Sequence, residues 1–229
     1  MAHSGAQTPA PPPPYPQVLR PPADGLLAGG TNGNQLLTAL TGATLIVLLG
    51  ALGVTIIRIG SLLWEHLFIG VLLLGPLALK LASTGYRFTR YYTGNRRYVQ
   101  QGPPEPLPRL IAPVVVVSTV VVFTTGVILL LGGPSTRATW FPIHKISFFV
   151  WLAFTALHVL WHLPTVLHRL RTDHHAPDSA PQLVTVPGRS GRAISLAGAL
   201  TLGVVLAILA IPDFAAWIHA QPYLHDHHH

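Results

Sequence analysis

The 229-residue chain has no cysteine, and its single methionine is Met1. The first absence excludes disulfides, thiolate-held iron–sulfur clusters and the covalent C-x-x-C-H attachment of c-type haem. The second removes thioether ligation from the body of the chain. Charge is scarce as well. Lys, Arg, Asp and Glu make up 9% of the residues while apolar types make up 50%, a balance that belongs to an integral membrane protein rather than a water-soluble domain. Acidic residues are the scarcer sign, seven against 14 basic ones, for a formal net charge of +7. The basic residues fall between apolar blocks and form no face interleaved with stacking aromatics, so no nucleic-acid partner is expected. No phosphate-cradling loop, Ser/His/Asp nucleophile set or paired carboxylates occur, which leaves hydrolase and phosphotransferase chemistry without support. No cleavable secretion signal is expected either, because about thirty polar, proline-rich residues precede the first apolar block. The first span is then expected to be its own anchor.

What is present starts with that arm. Residues 1–35 carry Pro9, Pro11 to Pro14, Pro16, Pro21 and Pro22, followed by Gly29, Gly30, Asn32, Gly33 and Asn34, the composition of a disordered or polyproline-like tether. Five apolar blocks follow: Leu36–Ile57, Ser61–Ala82, Leu110–Leu131, Phe141–Leu163 and Ile194–Ile211. Each approaches the ~20 residues that a helix needs to cross ~30 Å of hydrocarbon. Unsatisfied backbone groups are costly in lipid, so blocks of this length are expected to be helices. That holds even for the valine-rich third block (Val114 to Val117, Val120 to Val122), whose length and lack of turn residues override its strand-like composition. The expected fold is therefore all-α, a polytopic membrane helical bundle of five transmembrane helices, four forming a core plus one. It occupies residues 36–211, is surrounded by membrane lipid, and is followed by a short His-rich tail at 212–229 that ends in His225-Asp-His-His-His. Gly75-Pro76 is expected to kink the second span.

The cations set the orientation. The connection after the second block carries Lys80, Arg87, Arg90, Arg96, Arg97 and Arg109, and the one after the fourth carries Arg169, Arg171, Arg189 and Arg192. Only Arg58, Arg137 and Lys145 face them from the other side. Ten against three places the amino terminus in the cytoplasm and the carboxyl terminus outside, in a multi-pass protein of the plasma membrane. Blocks two and four then run in the same direction from the outer face.

That shared direction gives the histidines meaning. "HKISFFVWLAFTALHVLWH" carries His144, His158 and His162 in an otherwise apolar and aromatic run. At 1.5 Å and 100° per residue, His144 and His158 lie roughly 21 Å apart along the helix and about 40° apart around it. His66 is near the start of block two as His144 is near the start of block four, which puts both at nearly one outer depth. Two imidazoles at one level on two helices form a bis-histidine haem clamp. Gly70, one turn below His66, Gly75 further down, and Ser147 beside His144 offer the low profile a flat macrocycle needs. Arg58 and Arg137, with Lys145, stand near the outer mouth, where haem propionates would be paired. At the inner level, position 80 faces His158, and Lys80 there is expected to snorkel to the interface. His158 and His162 are open to three readings: a quinone contact, an incomplete second haem site, or a belt with Trp151 and Trp161.

"WEHLFIGVLLLGPLALKLASTGYRFTRYY" together with "HKISFFVWLAFTALHVLWH" resembles the transmembrane di-haem cytochrome b superfamily. The nearest parallels are the b-type subunits of bacterial formate dehydrogenases and nickel hydrogenases and small actinobacterial cytochrome b domain-containing proteins. The resemblance covers about residues 36–170. It implies that the last core helix supplies two histidines, matched by His144 and His158, and that the second helix supplies the outer partner, matched by His66. It also implies an inner partner on the first helix, where this chain has no histidine and offers only Asn32, Asn34 and Gln35. The expectation is a b-type cytochrome holding one haem b, or two if the inner site is completed. It would be an electron-transfer subunit of a membrane oxidoreductase, working between a redox partner subunit and the quinone pool or another subunit. The alternative from another class is a haem-free membrane scaffold with interfacial histidines. A haem-dependent reductase would need a further substrate site that the sequence does not display.

Overall fold

The structure, a computed structural model, describes residues 30–99, 106–173 and 189–225. The proline-rich arm up to residue 29 and the end of the His-rich tail from 226 lie outside it, as do the side chains of Asn32, His162, Arg169, Arg171 and Arg189. The elements in chain order are α1 (Gly30–Ile57), α2 (Leu63–Leu72), α3 (Leu74–Tyr92), the single turn α4 (Arg96–Val99), α5 (Pro106–Gly132), a 3-10 turn (Pro134–Thr136), α6 (Arg137–Asp173), α7 (Arg189–Leu209) and α8 (Ile211–His225). Five stretches are long and apolar enough to cross a membrane: Asn34–Ile57, Leu63–Tyr92, Arg109–Gly132, Pro134–Trp161 and Ser190–Leu209. The protein is an all-α, multi-pass membrane bundle.

Local chemistry explains where the helices break. Pro76 has no N–H, so the carbonyl of Leu72 loses its partner, and α2 gives way to α3 at Leu73. The freed carbonyl faces a neighbour. A side chain built on Gly203 of α7 would collide with Leu72 O, and one built on Gly75 would collide with Ala199 O. The two glycines thus let the backbones of α2–α3 and α7 approach directly, the small-residue packing that replaces hydrophobic drive inside lipid. Gly133, at φ 67°, turns the chain between α5 and the 3-10 turn.

The helices associate as two groups. In one, α1, α2, α3 and α7 pack on one another; in the other, α6 lies along α5. Trp151 is buried on α6 and donates from Nε1 to Thr119 Oγ1 of α5 at 2.9 Å. It is a stitch between helices and not part of an interfacial belt. The groups meet where α2 begins and α5 ends, at what is here termed the His66 end; the opposite face is the Lys80 end.

The fifteen residues Ile211–His225, in the stretch read as a tail, form a helix that is absent from the simple five-span picture. α8 touches α2, α5 and α7. Phe214 is 1% exposed and meets Trp64 edge-on at 6.0 Å, while Trp217 donates from Nε1 to Leu129 O at 3.2 Å. Phe214 and Trp217 form the main apolar cluster with Val71, Leu129, Leu130 and Ala207. One short helix therefore ties the two groups together.

Candidate functional site

His66 sits in the first turn of α2, facing the last turn of α1. Thr55 of α1 is 4% exposed, and its Oγ1 lies 3.0 Å from His66 Nδ1. That hydroxyl has one hydrogen, which goes to Leu52 O at 2.6 Å, the back-bonding usual for threonine in an apolar helix. Thr55 Oγ1 is consequently the acceptor, and His66 Nδ1 carries the proton. The lone pair of His66 is on Nε2.

His144 on α6 repeats this arrangement with different partners. Its Nδ1 is 3.0 Å from Val122 O and 3.1 Å from Thr125 Oγ1, both on α5. A carbonyl only accepts, and the Thr125 hydroxyl donates to Val121 O at 2.9 Å and Val122 O at 3.0 Å. His144 Nδ1 is therefore also a donor, which leaves Nε2 as its lone-pair nitrogen. Gly126 makes room for the ring, because a Cβ there would lie 3.2 Å from His144 Cε1. The His66 and His144 rings are electrostatic neighbours.

Two half-buried imidazoles on separate helices are thus held in one tautomer, each oriented through Nδ1. Such an arrangement suits ligation through Nε2, the nitrogen left when the other is pinned by a hydrogen bond. Among the described residues no group of three or more His, Cys, Asp or Glu side chains converges. A bare ion needing four protein donors does not match this pair.

The other sequence candidates separate around this pair. Gly70 shares the His66 face of α2, is half-buried, and would meet no atom within 4 Å if it carried a Cβ. Its small size is not used for helix packing, in contrast to Gly75. Arg58 is exposed just beyond α1 and Arg137 opens α6 with its guanidinium 5.3 Å over the Phe141 ring, so both cations stand at the His66 end. Ser147 donates to His144 O at 3.0 Å and lines an apolar groove of about 590 Å³ between α5 and α6. His158 is half-buried, and its Nδ1 is shut from solvent.

Lys80 does not snorkel. Its Nζ donates to Thr38 O of α1 at 2.7 Å and lies against Gly42, where a Cβ would be 3.1 Å away. Around it, Thr38 Oγ1 donates to Asn34 O at 2.8 Å, Ser83 Oγ donates to Lys80 O at 3.0 Å, and Asn34 Nδ2 donates to Ser83 O at 3.3 Å. This network occupies the Lys80 end of α1.

The residues that sequence reasoning missed are Thr55, Thr125 and Gly126. The only signal for any of them was Gly126, the one glycine inside the apolar block Leu110–Leu131, which is otherwise crowded with β-branched types. No protein-family model, no curated protein and no solved structure matches the chain.

Proposed function

We propose that this protein is a membrane-integral b-type cytochrome that carries electrons between a redox partner and the quinone pool or another subunit. The observation that supports this reading best is the shared tautomer. On both His66 and His144, Nδ1–H is committed to a threonine hydroxyl, and for His144 also to a carbonyl, so Nε2 is the donor available to iron. Haem would supply one-electron redox chemistry between these two ligands.

The chain's own residues do the rest. Thr55 and Thr125 orient the imidazoles, and Gly126 sets the depth at which His144 rests. Gly70 leaves the His66 face low enough for a flat group to lie against it. Arg58 and Arg137 stand where propionate carboxylates would emerge at the His66 end. At the opposite level α1 presents Asn34 and Thr38 to Ser83 and Lys80, an engaged polar network in place of a ligand pair. That favours one haem b over two, with His158 outside the clamp. The same cation asymmetry read from sequence favours a plasma-membrane protein with the Lys80 end in the cytoplasm and the His66 end outside.

The test is a dithionite-reduced visible spectrum of protein expressed with ample haem, coupled to a pyridine haemochrome assay. The expected result is a b-type α-band and a haem-to-protein ratio near one. Both should be lost in His66→Ala and His144→Ala and kept in His158→Ala. No α-band would leave the haem-free scaffold as the reading, and a ratio near two would place a second haem on His158.

A further inference from the structure

α3 does not stop where its apolar block does. The block closes at Ala82, where Asn34 Nδ2 at the polar start of α1 donates to Ser83 O at 3.3 Å. The helix runs on to Tyr92. At 1.5 Å per residue, Arg90 stands about 12 Å and Tyr92 about 15 Å past Ala82. The headgroup layer of one leaflet is only about 5–8 Å deep. A tilt of about 40°, the top of the range for membrane helices, still leaves Arg90 about 9 Å out. By this count the end of α3 reaches into water, beyond the depth of an interfacial aromatic belt.

That end is built as a hairpin. Gly94, at φ 75°, reverses the chain, its N–H donating to Tyr91 O at 3.2 Å while Asn95 N–H donates to Arg90 O at 3.1 Å. This is the Schellman closure of a helix. α4 then folds back, and Tyr98 meets Tyr86 edge-on at 6.2 Å. Arg90, four residues after Tyr86 and so on the same face, donates from Nε to Tyr86 Oη at 3.1 Å with its guanidinium 5.4 Å from the ring centre. Arg87 and Arg90 are both electrostatic neighbours of Tyr98. Tyr86 is 50% exposed, and Arg90 and Arg96 are exposed. The expectation that the cations share no face with aromatic rings does not hold on this hairpin.

The chemistry of the face is that of a carboxylate receptor. Tyr86 takes the Nε hydrogen of Arg90, and the two terminal nitrogens carry the fork that fits a carboxylate. A guanidinium already held by its neighbour loses less freedom on binding. Arginine and tyrosine are also the side chains in which interface energy concentrates. Between Thr84 and Arg109 the sequence carries Arg87, Arg90, Arg96, Arg97 and Arg109 against one acid, Glu105. The excess of positive charge therefore survives whatever partner Glu105 takes. Depth argues against a lipid headgroup as the ligand. Ring geometry argues against a nucleic acid, because Tyr86 gives its face to Arg90 and its neighbour Tyr98 meets it edge-on, with no parallel platform for bases.

We propose that the α3–α4 hairpin is a docking site for an acidic protein on the Lys80 side of the membrane. Arg90 is the central contact to a partner carboxylate, Arg87 and Arg96 flank it, and Tyr86 holds it in place. The proposal does not depend on the cytochrome reading.

The test uses the full chain in phosphatidylcholine nanodiscs, with a fluorescein-labelled oligoglutamate peptide as the probe and fluorescence anisotropy as the readout. The expected result is saturable binding that Arg90→Gln weakens about tenfold or more, the size of a lost hydrogen bond between charged groups. Tyr86→Phe, which removes the hydroxyl but keeps the ring and the net charge, should weaken it by a smaller factor. Arg109→Gln is the control, since it removes the same charge from the same connection. Arg109 is exposed and donates to Tyr92 Oη at 3.1 Å, and Tyr92 lies about 200° around α3 from Arg90. Arg109→Gln should therefore bind as wild type does. Helix content by circular dichroism separates lost binding from lost folding, and Tyr86→Phe serves if Arg90→Gln does not fold. Equal losses in Arg90→Gln and Arg109→Gln would reduce the effect to bulk charge and overturn the site, as would the absence of saturable binding. Competition by phosphatidylglycerol vesicles or by a single-stranded oligonucleotide that outdoes the peptide, with the same dependence on Arg90, would overturn the assignment to a protein.

Discussion

A histidine ring in a bilayer is defined by which nitrogen holds the proton, and here two threonines decide that. Thr55→Val and Thr125→Val keep volume and helix while deleting the acceptor opposite Nδ1. Removing such an outer partner typically costs about 10–100-fold in affinity for the bound centre. His144 has a second acceptor in Val122 O, so Thr125→Val should fall below Thr55→Val in effect. If the pair holds haem as proposed, haem retention on dilution into detergent measures both, and equal retention in wild type and Thr55→Val would refute the orienting role. That His66 and His144 would be neighbours was legible from helical rise, because depth is linear in residue number. Their partners were not, since Thr55 precedes His66 by 11 residues and Thr125 precedes His144 by 19. Those offsets cross turns whose geometry no periodicity encodes. Lys80 misled for a related reason. Its snorkelling was inferred from side-chain length, but a carbonyl on α1 was within reach, and in lipid a nearby acceptor outweighs a distant interface.

Among the elements, the five spans were readable because lipid leaves the backbone no alternative to helix. The α2–α3 break was readable from Pro76. What the apolar pattern could not give was who packs on whom, since lipid-facing and protein-facing surfaces are equally greasy. The glycines carry that information. Gly203→Val would drive a branched side chain into the Leu72 carbonyl, and overpacking of this kind costs about 1–3 kcal/mol or more. The expected outcome is a lowered thermal midpoint in detergent with α-helix content retained at low temperature. Gly50→Val, whose Cβ would meet no atom within 4 Å, should leave the midpoint within error. Equal midpoints for the two variants would mean that the close approach of α7 to the α2–α3 joint is not a stability determinant. α8 was missed because its fifteen residues are too few to span and too mixed to announce a core.

Taken whole, the chain is two helix groups whose cations are concentrated toward one face, ten against three by sequence. If the cation-rich Lys80 end is cytoplasmic, a reporter fused after residue 229 that is active only outside the cytoplasm should work. Activity of a cytoplasm-only reporter at that position would invert the proposed topology. The tie made by α8 also carries a consequence for the order of biogenesis. Trp217 and its acceptor Leu129 are 88 residues apart. At ribosomal rates of about 5–20 residues per second, Leu129 is made roughly 4 to 18 s before its donor exists. During that interval the α5–α6 hairpin resides in the bilayer without the strap that later holds it to α2. The helices that carry the two imidazoles then have only the direct contact of α2 with α5 between their groups, and the α8 strap is added last.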